Sequence, residues 1–282
     1  MSLPRSSGER RGEALPGFGL SLGLTLAYLA LLVFIPLSTL VLKTASLPFD
    51  RLWELATSER ALASYRLTFG GAAIAAGLNL LFGLPVAWVL ERYPFPGRSV
   101  INALVDLPFA LPTAVAGIAL AALFAPNGWY GQVLESLGWK IAYTPAGVVV
   151  ALTFIGLPFV VRTVQPVLRD LDPAIEEAAA TLGASRWAAI RSVVLPELLP
   201  AAFTGFVLAL ARGLGEYGSV IFIAGNLPLR SEITSLLIMI RLEEFDYPGA
   251  TAIALVFLLA SFALLLLLNR LTAFRRRKPA LA

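Results

Sequence analysis

Four ionisable side chains fall inside long apolar stretches of this sequence: Asp106, Arg162, Arg212 and Glu216. A charge at membrane depth is costly, and it marks a functional candidate wherever it occurs. Arg212 and Glu216 stand deepest, roughly 15 to 19 residues into their stretch at ~1.5 Å per residue. Their i,i+4 spacing sets both on one helix face, where each neutralises the other. Two readings stay open. The pair is self-satisfied and faces a bundle, or it lines a polar translocation path, with Gly213, Gly215 and Gly218 allowing close packing or a bend; the path is the expectation carried forward. Asp106 opens one apolar stretch and Arg162 lies late in another, towards the same end. They pair with each other or extend to the interface, a structural role in either case.

The residues that are missing narrow the chemistry. There is no histidine and no cysteine, so imidazole acid–base catalysis, thiolate chemistry and disulfides are excluded. Gly19-Leu20-Ser21-Leu22-Gly23 fits a serine nucleophile pattern, but it opens an apolar helix and no histidine exists to activate the serine. Gly19 and Gly23 read better as a small helix-packing face. Gly213-Leu214-Gly215-Glu216-Tyr217-Gly218 fits a dinucleotide fingerprint but lacks the strand that must precede one. No phosphate-binding loop of the G-x-x-x-x-G-K-[ST] form occurs. An intramembrane enzyme would need a nucleophile–base pair or a metal ligand set, and neither is seen. The expectation is therefore no catalytic residue, no metal and no cofactor on this chain, with any ATP and Mg bound by a partner. A secondary transporter would show an internal repeat; none is evident.

The elements that hold these residues are apolar spans. Of 282 residues, 58% are hydrophobic and 14% charged, the balance of an integral membrane protein. Six runs reach bilayer length: about Phe18 to Leu42, Leu67 to Leu90, Val100 to Phe124, Pro145 to Leu168, Glu197 to Ala224 and Gly249 to Leu268. The first is too long for a signal-peptide core and reads as an uncleaved span. The fold class is thus all-α and polytopic, with both termini on one side. Thirteen Lys and Arg fall on the side of the termini and seven on the other, which sets the termini in the cytoplasm. Arg275-Arg276-Arg277-Lys278 weighs most in that excess and reads as a stop-transfer anchor. Pro108 and Pro112 in the third span, and Pro158 and Pro166 in the fourth, should disrupt helix hydrogen bonding and leave kinked spans around the deep charges.

Of the outward segments, 43–66 reads as a mixed-charge linker. In 225–248, Ile233, Leu236, Leu237 and Ile240 sit at helical spacing and predict a short amphipathic helix, which contacts an external partner or packs on the spans. Trp129, Tyr130, Trp139 and Tyr143 read as an interfacial aromatic belt.

One polar island, Asp170 to Pro196, is longer than a connector requires. Asp170 or Asp172 caps a helix that Pro173 opens, with Glu176 and Glu177 in its first turn. Gly183 allows a sharp change of direction. Ser185 caps a second short helix, Arg186 to Val194, which Leu195-Pro196 ends. The result is a knob outside the bilayer, built for contact.

Glu177-Ala178-Ala179, then Gly183, Val193 and Leu195-Pro196 at the E-A-A-x3-G-x9-I-x-L-P spacing, resembles the EAA loop of ABC importer permeases. Val193 stands where isoleucine is common. The resemblance covers a five-span core, about 64–268, with residues 1–63 as N-tail, leading span and outer linker and 269–282 as a basic tail. A narrower likeness joins Leu107 to Gly117, Pro158 to Leu168, Leu214 to Asn226 and Glu244 to Pro248 to the T-type permease subunits of sulfate/thiosulfate importers. Molybdate and tungstate permeases share part of the fifth-span pattern, so those oxyanions remain the alternative. The resemblance implies a type I importer in the bacterial inner membrane: a second, W-type permease (a homodimer being the other option), two copies of an ABC ATPase and an external sulfate/thiosulfate-binding protein. It makes the EAA loop the ATPase-coupling element. Ala178 and Ala179 would permit close approach, Glu177 would offer a charged contact and Gly183 would set the turn.

Overall fold

The computed structural model describes residues 18–276, and its contacts divide into two units that meet between Pro48 and Phe49. Arg5, Arg10, Arg11, Arg277 and Lys278 lie outside the described residues, and with them part of the charge argument for sidedness. The first unit is a single helix, α1 (Phe18–Ala45), long and apolar enough to cross a bilayer. It contains a π turn at Ala30–Phe34, just ahead of Pro36. Proline lacks an N–H and its ring clashes with the carbonyl one turn back; a widened turn accommodates both defects.

The second unit comprises α2 (Phe49–Ala56), α3 (Glu59–Arg92), α4 (Arg98–Val105), α5 (Leu107–Ala110), α6 (Thr113–Phe124), α7 (Trp129–Ser136), α8 (Pro145–Asp170), α9 (Pro173–Thr181), α10 (Arg186–Leu214), α11 (Val220–Ile223), α12 (Thr234–Glu243) and α13 (Tyr247–Arg276). Side-chain caps open two of the long helices: the Ala61 amide donates to Ser58 Oγ and the Ala146 amide to Thr144 Oγ1.

The core is the α3, α8 and α10 bundle, and small residues make it. In lipid, apolar surface gains little from burial against other apolar surface, so association rests on close packing. A Cβ on Gly83 would stand 3.0 Å from Val160, and one on Gly205 would stand 2.7 Å from the Val160 Cα. The same contacts give the helix directions. Gly71 faces Val148 and Leu152 while Gly83 faces Val160, so α3 and α8 run parallel. Gly205 faces Val160 while Gly213 faces Leu152, so α10 runs against them. That is the alternation successive spans require.

Several expectations need correction. The second span begins at Glu59 rather than Leu67, and the 43–66 linker contains α2. The third span is no continuous helix but three pieces, α4, α5 and α6. Leu111 is extended at φ −85° and ψ 134°, as the residue before a proline tends to be, and Pro112 then caps α6. By contrast, Pro158 and Pro166 leave α8 unbroken over 26 residues. Val160, Val161 and Val164 are wholly buried around them, and that packing holds the helix where two backbone bonds are missing. The fifth span begins at Arg186 and stops at Leu214, not Ala224. Of the two options for 225–248, packing prevails within this chain: Ile233, Leu236 and Leu237 of the α12 segment are buried and α12 lies along α13. Trp129, Tyr130, Trp139 and Tyr143 are exposed, as an aromatic belt would be.

Candidate functional site

The polar island folds as a helical hairpin. Asp172, not Asp170, caps α9: its Oδ1 accepts the Ala174 amide at 2.9 Å. Glu176 lies in the first turn, with Glu177 just beyond it. Gly183 takes φ +85°, a left-handed conformation that a side chain disfavours. Ser185 then caps the second arm by accepting the Ala188 amide at 3.2 Å. Glu177, Ala178 and Gly183 are exposed, and so are Leu182 and Trp187, at 88% and 71%. Ala179 and Val193 are half-buried, while Leu195 and Pro196 lie exposed.

Leu195-Pro196 does not end the second arm. A π turn at Ile190–Val194 precedes Pro196 and the helix continues to Leu214, repeating the arrangement ahead of Pro36. The hairpin's second arm and the fifth span are therefore one helix. Arg92, at the end of α3, ties the first arm to the bundle through Glu176 Oε1 at 2.8 Å.

Arg212 and Glu216 do meet: Arg212 Nη1 lies 2.5 Å from Glu216 Oε2. The shared helix face is not how. α10 stops at Leu214, and Glu216 sits in the break beyond it, 98% buried. Its Oε1 accepts the Ser219 amide at 2.9 Å and the Ser219 hydroxyl at 3.0 Å, so the carboxylate also organises the start of α11. Arg212 keeps a third of its side chain exposed. The break packs against the first turns of α6, just past the break in the third span: Gly218 lies against Thr113, and Gly117 against the backbone of Ser219.

Asp106 and Arg162 form a two-pronged ion pair. Arg162 Nε donates to Asp106 Oδ1 at 2.7 Å, and Arg162 Nη2 pairs with the other carboxylate oxygen. Asn102 and Gln165 complete the cluster: Asn102 accepts from Nη1 at 2.9 Å through Oδ1 and from Nη2 at 2.8 Å through its carbonyl. The α8–α10 register puts this cluster about nine residues, or ~13 Å, from the level of Arg212, so the structure does not bring the two pairs together. Asn102 and Gln165 were legible in principle as polar residues at i,i+4 and i,i+3 from the charged pair. Ser219, at i,i+3 from Glu216, carried the same signal; the Arg60–Glu232 pair, whose members lie 172 positions apart, carried none.

The arrangement can transmit movement of the hairpin to a polar break and can present a cation there. Among the described residues no group of three or more His, Cys, Asp or Glu could hold a metal ion. The chain is similar to known transport proteins. The sulfate transport system permease protein CysT of Escherichia coli K12 is 53% identical over 266 residues, 94% of this chain and 96% of that protein. The protein of the same name from Synechococcus elongatus is 49% identical over 90% of this chain and 91% of its own length. Among solved structures, a bacterial ABC transporter involved in the import of the polysaccharide alginate superposes with TM-score 0.72 at 20% identity, over 93% of this chain and 97% of the other; the MetNI methionine ABC transporter does so with TM-score 0.57 at 16% identity, over 80% and 98%. The family model for the inner membrane component of binding-protein-dependent transport systems matches residues 79–278. The chain belongs to that family.

Proposed function

We propose that this chain is the T-type permease subunit of an ATP-driven importer that carries sulfate, and thiosulfate with it, into the cell by alternating access. One observation carries the mechanical part: the hairpin built on Gly183 has a second arm that runs unbroken to the polar break at Arg212. The solute assignment is supported by the sulfate transport permeases that share about half of its residues over nearly its full length.

In this reading the hairpin docks on one of two ABC ATPase subunits through Glu177, Ala178 and Ala179, and ATP with Mg is used there, not here. A W-type permease completes the channel and an external sulfate/thiosulfate-binding protein delivers the ion. The excess of Lys and Arg supports cytoplasmic termini and a cytoplasmic hairpin. ATP-driven approach of the two ATPases moves the hairpins as rigid bodies and exchanges inward- and outward-open states. A divalent oxyanion crossing the break meets the exposed part of Arg212. Glu216 already neutralises part of that charge, so attraction stays weak enough for release, as conduction requires.

The test is radiolabelled sulfate uptake in cells stripped of their own sulfate permeases and supplied with the four partner subunits. Uptake restored by the wild-type chain, competed by thiosulfate and reduced in Arg212→Gln with assembly intact is the expected result. Stronger competition by molybdate or tungstate would transfer the assignment to those oxyanions. Undiminished uptake without the ATPase would end the reading.

A further inference from the structure

Between the end of α3 and the start of α10 lie two cavities that share a wall. The first, about 260 Å³, is bounded by Leu84, Pro85, Trp88, Trp187, Val194 and Leu198, with no charged side chain among its lining residues. The second, about 330 Å³, holds Arg92, Tyr93, Glu176 and Arg186. Trp88 and Ile190 line both, so an apolar groove opens directly into a cationic cleft.

The geometry points to a bound anionic phospholipid, one acyl chain in the groove and its phosphate against Arg92 and Arg186. Depth agrees with this. Leu84 stands eight residues before Arg92, which closes α3, so the groove runs ~12 Å from the helix end into the hydrocarbon. The cleft therefore sits at headgroup level, where Tyr93 and Trp187 are exposed as interfacial aromatics usually are. Charge agrees as well. Two guanidinium groups face one carboxylate, and Glu176 engages only Nη2 of Arg92. The Nε of Arg92 is enclosed with no hydrogen-bond acceptor among the described residues, so a phosphate in the cleft would be met through the terminal nitrogens. A phosphate supplies oxygen acceptors for a guanidinium and the negative charge the cleft is short of. Trp88 stacks under the Arg92 guanidinium at 5.6 Å and fixes it at the junction of groove and cleft. Basic pockets between spans on the cytoplasmic side take anionic headgroups on the same physical grounds. An apolar wall alone would not choose between lipids; the adjoining arginines do.

The site would clamp the hairpin, since its walls belong to α3, to α9 through Glu176 and Ala180, and to α10. Nothing in it depends on which solute crosses, so sulfate uptake and lipid retention stand or fall separately. The assembled transporter, purified from membranes and exchanged into mixed phosphatidylglycerol and phosphatidylcholine micelles, is examined by native mass spectrometry. We expect phosphatidylglycerol to be retained over phosphatidylcholine, with the preference falling about tenfold or more in R92Q/R186Q. Leu84→Trp, which fills the groove and leaves both arginines, should lower retention of either lipid. Equal retention of the two lipids by the wild type would overturn the proposal, as would an R92Q/R186Q complex that keeps its preference. Loss of the ATPase subunits from Arg186→Gln with lipid retention unchanged would assign the cleft to the ATPase instead.

Discussion

Gly117 lies directly against the backbone of Ser219: a Cβ placed on Gly117 would stand 2.8 Å from the Ser219 Cα. The second turn of α6 thus touches the non-helical stretch that follows α10. The contact seats Ser219, and Ser219 seats the buried carboxylate that pairs with Arg212.

Gly117→Ala should therefore push α6 away from the break beyond α10. Overpacking of this kind costs about 1–3 kcal/mol, visible as a lower melting temperature of the purified complex and reduced uptake. Gly70→Ala is the comparison: nothing lies within 4 Å of a Cβ there, and within α3 an alanine is favoured over glycine by ~0.5–1 kcal/mol. A melting temperature unchanged in Gly117→Ala would refute the close contact.

Gly183 makes a different demand, on conformation rather than space. No atom lies within 4 Å of a Cβ built on it, but its φ is +85°. Gly183→Val should distort the hairpin and lose ATPase subunits in a pull-down, while Gly183→Asn, which tolerates left-handed backbone, should keep most of them. Equal recovery from Val and Asn variants would show that the turn is dispensable for docking.

The Asp106–Arg162 pair predicts non-additivity. Arg162→Lys retains the charge but not the fork that holds both carboxylate oxygens and Asn102. It should destabilise by about 1–3 kcal/mol, because partly buried acceptors lose their donors. Asp106→Asn alone should cost a similar amount, and the double variant less than the sum of the two. Additive losses in thermal unfolding would argue that the two side chains are not coupled.

Arg60 and Glu232 make the most specific long-range prediction. Arg60 donates through Nε at 2.8 Å and Nη2 at 2.7 Å to a carboxylate whose side chain is 1% exposed. Beside it, Thr68 Oγ1 accepts the Thr234 amide at 2.9 Å. Glu232→Gln keeps the shape and removes the charge, so the segment leading into α12 should loosen and become open to protease on the side opposite the hairpin. Arg60→Gln should do the same. Protection unchanged in both would mean that the Thr68–Thr234 hydrogen bond and the packing of Leu237 and Ile253 hold α12 without the ion pair.

Much of this was readable from residue order, for identifiable reasons. The all-α fold, the five long apolar helices, the hairpin and its caps follow from hydropathy, Asp172-Pro173, Gly183 and Ser185, each a local signal. The reading failed where an effect was not local. Leu195-Pro196 looked like a stop because a proline ends most helices; the π turn that lets Pro196 continue α10 leaves no mark in composition. Pro158 and Pro166 looked like breaks, yet the buried valines around them hold α8 together. Glu216 looked like a helix-face partner of Arg212, and it reaches that arginine only because the helix has already ended.

The continuity of α10 through Pro196 has a mechanical corollary. Twenty-nine residues make a rod of ~44 Å, and a swing of about 5° at one end displaces the other by ~4 Å. The helix runs on through the π turn at Ile190–Val194 and through Pro196 and Pro200, so on the proposed reading a push on the hairpin is carried along one continuous element. Its far end is the turn that bears Arg212, so the tilt of one short arm and the position of that guanidinium are set by the same rod.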